Sequence, residues 1–180
     1  TAEKIIGFEN IRFLLVGAGA ERDELILTAN ERGLNNIIFM PAQPKIAMPS
    51  VWSLCDIALV HLKNDSVFAG VIPSKLFEAM AVGLPILMAT PEGEASRIVL
   101  SEKAGLHIPP ENPQALADVV IGLSKDPDKL KTLAKNSLAA APNYSREKQA
   151  HHMISVLKYA VKRRGCETGN LPLNKVGDKS

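Results

Sequence analysis

Short apolar runs alternate along the chain with longer segments of helical periodicity. Five apolar runs have the composition of buried strands. They cover residues 10–16, 36–40, 56–61, 86–89 and 105–108. The helical segments cover residues 20–32, 73–83, 92–101, 112–123, 126–141 and 144–164, with a shorter one inside 44–53. This alternation predicts an α/β fold with a doubly wound, mostly parallel, Rossmann-like sheet flanked by helices.

Ligands of a doubly wound sheet bind beyond the carboxyl ends of its strands. In this sequence four loops follow predicted strands on that side, at residues 17–19, 41–44, 61–72 and 90–94. The third loop leads into residues 70–85, which read GVIPSKLFEAMAVGLP. We therefore expect the functional residues at this edge of the sheet, centred on that stretch.

The stretch 70–85 joins an uncharged loop to a short helix. Pro73 and Ser74 are residue types favoured at a helix start, and Gly83 is typical of a helix end. Helical spacing predicts one buried stripe. The predicted stripe consists of Phe77, Met80, Ala81 and Leu84. A different face of the helix carries Lys75, Glu78, Ala79 and Val82.

A loop that leads into a helix presents unpaired N–H groups and the positive end of the helix dipole, which favour a bound anion such as phosphate. Lys75 adds a positive charge at that end. Glu78, one turn further, has a carboxylate that is able to accept hydrogen bonds from a ribose diol. The alternative is a surface ion pair between Lys75 and Glu78, worth a few tenths of a kcal/mol. Spacing alone leaves both interpretations open.

The composition is that of one soluble globular domain. Of 180 residues, 46% are hydrophobic and 22% are charged. The 21 Lys and Arg residues against 19 Asp and Glu residues leave a net charge of +2, and no long basic run is interleaved with aromatic residues. Nucleic acid is therefore not an expected partner.

The two cysteines, Cys55 and Cys166, form neither a disulfide framework nor a metal-ligand cluster. We therefore expect no metal, and we expect a reducing, cytoplasmic compartment. No apolar run approaches the roughly 20 residues that span a bilayer, and no signal peptide precedes the first strand. The chain opens on Thr1 rather than Met, which suggests a fragment of a longer protein.

The sequence PSKLFEAMAVGLPIL resembles the C-terminal, donor-binding half of retaining GT-B glycosyltransferases of family 4. The strand LLVGAG upstream, DIALV between and GLHIPPENPQALADVV downstream extend the resemblance over residues 10–160. It is greatest to enzymes that build bacterial surface polysaccharides. The resemblance implies an enzyme that transfers a sugar from a nucleotide-diphosphate donor, with UDP preferred, to a lipid-linked or carbohydrate acceptor. It implies no metal and no other cofactor.

The family resemblance implies that residues at the start of this helix bind the sugar donor. Glu78 stands where the family holds the donor ribose. Ser74 and Lys75 stand where a GxxPSKxxE subgroup places the donor diphosphate, and the amides of Val71 and Ile72 would help to hold phosphate or sugar.

One position departs from the family pattern. The family's first Glu, which contacts the donor sugar, would fall eight residues before Glu78, where this chain has Gly70. The donor sugar is therefore not predicted, and no residue of this chain is assigned a catalytic role.

Two further loops face the nucleotide in the family. Gly17 and Gly19 match its glycine turn, although a GxG by itself is typical of any turn from strand to helix. Ala42 and Gln43 occupy the loop that faces the base. His61 ends a predicted strand on the ligand side, and both a structural and a ligand-binding role are open for it.

The resemblance also identifies parts that this chain lacks. They are the N-terminal acceptor domain and the first, central strand of the donor domain. A sheet without that strand must pair its neighbours directly, borrow a strand from another copy or leave its edges open, and open edges favour association. We therefore expect a domain at residues 1–165, a polar tail at 166–180 and a homodimer through a strand edge or the helix 144–164. The full-length enzyme is expected at the inner face of the membrane.

Two other functions stay open at the level of sequence. A sugar-nucleotide epimerase has the same architecture but needs its own acid and base residues, for which no cluster is visible. The isolated chain, without an acceptor domain, is expected to be inactive and to act as a nucleotide-binding or self-associating module.

Overall fold

A computed structural model describes residues 1–163 and shows the predicted alternation of strands and helices. The strands are β1 (Phe13–Val16), β2 (Ile37–Met40), β3 (Ala58–His61), β4 (Ile86–Ala89) and β5 (Gly105–Ile108). The helices are α1 (Arg22–Glu31), α2 (Met48–Trp52), α3 (Ser74–Ala81), α4 (Glu94–Ser101), α5 (Pro113–Ser124), α6 (Pro127–Ala140) and α7 (Arg146–Arg163). Single 3₁₀ turns lie at Ala2–Ile5, Lys45–Ala47, Ser66–Gly70 and Ala141–Tyr144. The predicted α/β fold class is confirmed.

The chain divides into two compact units. The first, Thr1–Asn143, contains all five strands and helices α1 to α6, and the second begins at Tyr144 and contains α7. The predicted tail 166–180 lies outside the described residues.

All the strand pairs are parallel, and they form two separate sheets. One sheet pairs β1 with β2, and the other has the order β3-β4-β5. Because β1 and β3 do not pair within residues 1–163, each of them has only one bonded neighbour in that part of the chain. Direct pairing, one of the three expected solutions for a missing central strand, is therefore not the one adopted here.

The core lies around the three-stranded sheet. All four residues of β4 are buried, and Ala58 and Val60 of β3 are fully inaccessible. β5 approaches β4 closely at Gly105, where an added Cβ would lie 1.9 Å from the carbonyl oxygen of Ile86. A larger residue at position 105 would therefore separate the two strands.

Helix starts follow local sequence signals. The Asn112 side chain accepts from the Ala115 N–H at 2.9 Å, and the Asp126 side chain accepts from the Lys129 N–H at 2.9 Å. At the start of α7, Ser145 Oγ accepts from the Lys148 N–H at 3.2 Å. Such caps satisfy N–H groups that have no partner within the helix.

Candidate functional site

The loop after β3 leads directly to the start of α3. The Leu62 N–H donates to the Ala89 carbonyl at 3.0 Å, which extends the pairing of β3 with β4 by one residue. Asp65 caps the 3₁₀ turn Ser66–Gly70 by accepting from the Val67 N–H at 2.9 Å. The chain is then extended as far as Pro73, so that the loop delivers α3 to the carboxyl edge of the sheet.

The first turn of α3 has N–H groups that no side chain caps. Pro73 is the residue before the helix and offers no side-chain acceptor, and the Leu76 N–H donates to the Pro73 carbonyl at 3.1 Å. Within residues 1–163, the N–H groups of Ser74 and Lys75 have no acceptor. Two free N–H groups at the positive end of a helix favour an anion.

The buried face of α3 differs from the predicted stripe. Met80 and Leu84 are buried as predicted, but Phe77 is only half-buried and Ala81 is exposed. The buried residues of the helix itself are Leu76, Ala79 and Met80. The first buried residue is Leu76 rather than the predicted Phe77. α3 contacts both the sheet, at β3 and β4, and helix α6, so the face that it buries differs from the single stripe predicted by helical spacing.

Lys75 and Glu78 do not form the surface ion pair that was the alternative interpretation. Lys75 is half-buried and Glu78 is exposed. No ion pair within 4.0 Å joins the two or joins either of them to another charged side chain in the part of the chain that the structure describes. Both charges are therefore available to a ligand.

His61, the last residue of β3, lies close enough to Lys75 for the two side chains to interact electrostatically. Partial burial of the ring lowers the pKa of His61 from its ordinary value of 6.5, and the positive charge of Lys75 lowers it further. At neutral pH the ring is therefore uncharged, with one N–H donor and one acceptor nitrogen.

The loops after β3 and β4 touch each other at Gly93. Gly93 precedes the first residue of α4, and its N–H donates to Ser96 Oγ at 2.9 Å. A Cβ at this position would lie 1.9 Å from the carbonyl oxygen of Ala69, the residue before Gly70. The close approach therefore fixes the 3₁₀ turn that ends at Gly70 against the start of α4. Nothing lies within 4 Å of a Cβ built at Gly70, so the fold itself does not require glycine there.

The two acidic residues near the start of α4 differ in position. Glu94 is in the first turn, where Arg97 approaches it to 3.8 Å, whereas Glu92 precedes the capping residue Gly93. Of the two, only Glu94 therefore lies within the first turn of the helix, where a negative charge is favourable.

The remaining predicted residues lie at the carboxyl ends of β1 and β2. The Gly17 N–H donates to the Met40 carbonyl at 3.1 Å, and the Gly19 carbonyl accepts from the Arg22 N–H at 3.0 Å. Added Cβ atoms at Gly17 and Gly19 would meet nothing within 4 Å, so the space above this turn is open. Ala42 is exposed, and Gln43 Nε2 donates to the Pro41 carbonyl at 3.0 Å.

Neither Thr90 nor His107 belongs to a recognisable ligand-binding motif in the sequence. Thr90 follows β4 and is 2% exposed, and its hydroxyl oxygen has no hydrogen-bond partner among the described residues. The Thr90 carbonyl lies 2.8 Å from His107 Nε2, which therefore carries the hydrogen. The only sequence signal for Thr90 as a candidate site residue is its position at the carboxyl end of a predicted buried strand.

Neither a metal cluster nor a membrane span is found in the described part of the chain. Within residues 1–163 no three His, Cys, Asp or Glu side chains are grouped as metal ligands. No helix in the same range is long and apolar enough to cross a membrane.

Comparisons with known proteins show the family to which the chain is similar. Residues 2–140 match the family described as Glycosyl transferases group 1. The probable glycosyltransferase WbjE of Pseudomonas aeruginosa is 29% identical over 162 residues, which are 89% of this chain and 38% of WbjE. This chain therefore spans well under half the length of that relative.

Solved structures share the fold. Sucrose-phosphate synthase from Thermosynechococcus elongatus superposes with a TM-score of 0.72 at 22% identity, over 90% of this chain and 42% of the synthase. Anabaena HepE in complex with UDP-glucose superposes with a TM-score of 0.68 at 23% identity, over 84% of this chain and 42% of HepE. At 22–23% sequence identity, the structural similarity to these two proteins establishes the fold of this chain and nothing further.

Proposed function

The chain belongs to the group 1 glycosyltransferases, and on that premise we propose that it forms the part of a retaining enzyme that binds a UDP-sugar. The observation that carries the proposal is the start of α3, where two unpaired N–H groups lie beside a lysine that forms no ion pair in the described residues. This combination is suited to a diphosphate.

Each residue around α3 has a proposed role at the donor. Ser74 and Lys75 hold the diphosphate, with help from the backbone of Val71 and Ile72. Glu78 is on the exposed surface one turn further along and is free of ion pairs within residues 1–163, so its carboxylate is available to the two hydroxyls of the ribose.

The nucleoside end of the donor is proposed to lie across the carboxyl ends of β1 and β2. The open turn at Gly17 and Gly19 admits close approach of a ligand to the backbone. The loop containing Ala42 and Gln43 would face the base. Two neighbours, both HepE complexes, contain UDP-glucose or UDP with glucose, which favours UDP here.

The proposed chemistry is stabilisation of the leaving diphosphate. As the bond between sugar and phosphate breaks, negative charge grows on the diphosphate, and the N–H groups of α3 together with Lys75 stabilise it where it develops. Glu78 positions the ribose and does not react. This scheme uses no metal, which stays a prediction. The acceptor, proposed to be lipid-linked or a polysaccharide, would be bound by another part of the enzyme.

Calorimetric titration of the intact protein with UDP tests the proposal. Lys75→Ala removes a charged hydrogen bond to the diphosphate, and Glu78→Ala removes a carboxylate that accepts from the ribose. Each change is expected to raise the Kd for UDP at least tenfold, because a hydrogen bond to a charged group contributes about 1.5–3 kcal/mol.

Matched controls are available on exposed helix surfaces. Lys131→Ala on α6 and Glu31→Ala at the end of α1 remove the same charges elsewhere, and both should leave the Kd unchanged. If Lys75→Ala and Glu78→Ala bound UDP and turned over donor like the wild type, the assignment of the site would be wrong.

A further inference from the structure

His61 is held by the sheet at the edge where the donor is proposed to bind. It pairs with Ala89 in the register of β3 and β4, and the next residue, Leu62, continues that pairing. The position of its backbone is therefore set by the pairing of two strands rather than by a loop.

The side chain of His61 has no structural hydrogen bond. Neighbouring atoms partly cover the ring, but the residue as a whole is exposed to solvent, and the ring bonds to no other residue in the part of the chain that is described. His107 is a useful contrast, because its Nε2 lies 2.8 Å from the Thr90 carbonyl and ties β5 to the end of β4. His107 is a structural histidine, whereas both ring nitrogens of His61 are available to a ligand.

The charged groups near His61 belong to α3 and to the loop that follows β3. The paired strand β4 has no titratable side chain. Helix α3, which packs against β3, carries Lys75 and Glu78. The loop after His61 adds Lys63 and Asp65. Of these groups, Lys75 is the one whose charge lowers the pKa of His61, in addition to the effect of burial.

We propose that His61 is a further donor-binding residue, whose imidazole N–H donates a hydrogen bond to a phosphate oxygen of the nucleotide beside Lys75. This inference rests on the proposed function. A bound diphosphate brings negative charge that offsets the effect of Lys75 on the ring. The ring then takes up a proton from solvent and its hydrogen bond to phosphate becomes charge-assisted. Binding is therefore coupled to proton uptake.

Histidine NMR signals of the intact protein, followed against pH with and without UDP, test the coupling directly. The chain has 4 histidines, and the spectrum of His61→Gln identifies the signal of His61. In the free protein His61 is expected to titrate below its ordinary value, because its pKa is lowered. With UDP bound, its pKa should rise above that of the free protein. An unchanged titration of His61 in the presence of bound UDP would overturn the inference.

Two substitutions separate a hydrogen-bonding role from a packing role. His61→Leu should raise the Kd for UDP about tenfold at neutral pH, since it removes a hydrogen bond to a charged group. His61→Gln keeps an N–H donor, so its Kd should stay within about threefold of the wild type. The position is exposed, so both variants are expected to fold, which circular dichroism checks.

The pH dependence of the affinity for UDP also separates the two roles, because a residue that only packs would not change it. Wild-type affinity should increase as the pH falls through the interval between the two pKa values of His61, and both variants should lose that increase. The terminal phosphate of UDP titrates near pH 6 itself, as phosphate monoesters do. Its contribution is common to all three proteins and cancels in the comparison.

The outcomes distinguish this inference from the proposed function. UDP binding by the wild type, with equal affinity and pH dependence in His61→Leu, would refute the role of His61 and leave the donor site in place. Failure of the wild type to bind UDP would refute both.

Discussion

Lys75 and Glu78 lie one turn apart on α3, but they remain unpaired within residues 1–163. An exposed ion pair at this spacing contributes only a few tenths of a kcal/mol and requires both side chains to be ordered. Leaving it unformed therefore costs little. A dianionic ligand interacts with Lys75 far more strongly, so free charges at a helix start are better suited to binding than to stability.

Among the glycines near the site, Gly93 is the one at which an added side chain would clash with the backbone. Its backbone angles are extended and available to any residue, but a side chain there would clash with the Ala69 carbonyl. Gly93→Ala must therefore displace the 3₁₀ turn before Gly70. We expect it to lower the free energy of unfolding by about 1–3 kcal/mol and to weaken UDP binding.

The matched control for this glycine substitution is Gly122→Ala. Gly122 is inside α5, with nothing within 4 Å of an added Cβ. Alanine there should raise the free energy of unfolding by about 0.5–1 kcal/mol, since glycine is unfavourable inside a helix. Chemical denaturation of the two variants measures both effects. Equal stability of Gly93→Ala and the wild type would show that the two loops do not depend on this contact.

At the scale of elements, α3 shows how packing selects the buried face of a helix. It is covered by the sheet on one side and by α6 on another, which buries Leu76 and Ala79 as well as Met80. This packing on two sides holds the first turn of α3 in place at the sheet edge. A preorganised turn reduces the conformational cost of binding an anion there.

Leu76→Ala tests the packing of α3. Leu76 is fully buried, so its truncation should lower the free energy of unfolding by about 2–5 kcal/mol. Leu100→Ala on α4 is the control, because Leu100 is 50% exposed and its truncation should cost about 1 kcal/mol or less. Denaturant titration compares the two. A loss at Leu76 no larger than that at Leu100 would contradict the placement of this helix.

At the scale of the whole chain, the two sheets leave edges that are rich in apolar residues. β1 reads FLLV and β3 reads ALVH, and neither contains proline or a permanently charged side chain that would discourage pairing with another strand. Each strand has one bonded neighbour among residues 1–163. A buried strand such as β3, with Ala58 and Val60 inaccessible, is unusual at an edge, because edge strands are normally protected.

Self-association of the 180-residue chain is the expected consequence, and sedimentation velocity over a range of concentrations measures it. Leu15→Lys places a charge on β1 and should weaken association, as charged edge strands do. Leu157→Lys places the same charge on α7, where Leu157 is 57% exposed, and serves as the comparison. A weaker association in Leu157→Lys alone would point to the helix, and a monomer at all concentrations would refute both routes.

Much of the fold is determined by local sequence. The strand positions follow from short apolar runs, and the helix starts follow from Asn112, Asp126 and Ser145, whose side chains reach N–H groups three residues ahead. These interactions are decided within one turn of the chain, so a sequence pattern predicts them well. The start of α3 was also predicted from its residue types, proline followed by serine, although no side chain caps this helix.

Tertiary structure decided what depends on two distant segments meeting. Leu76 and Ala79 are buried because two elements cover α3, Gly93 is needed because Ala69 lies against it, and Lys75 acts on His61 because α3 packs on β3. Each of these facts depends on distances between residues far apart in sequence, which hydrophobic periodicity does not encode. The sequence alone thus determined which residues were candidates for the donor site, and packing decided which of them are free to bind it.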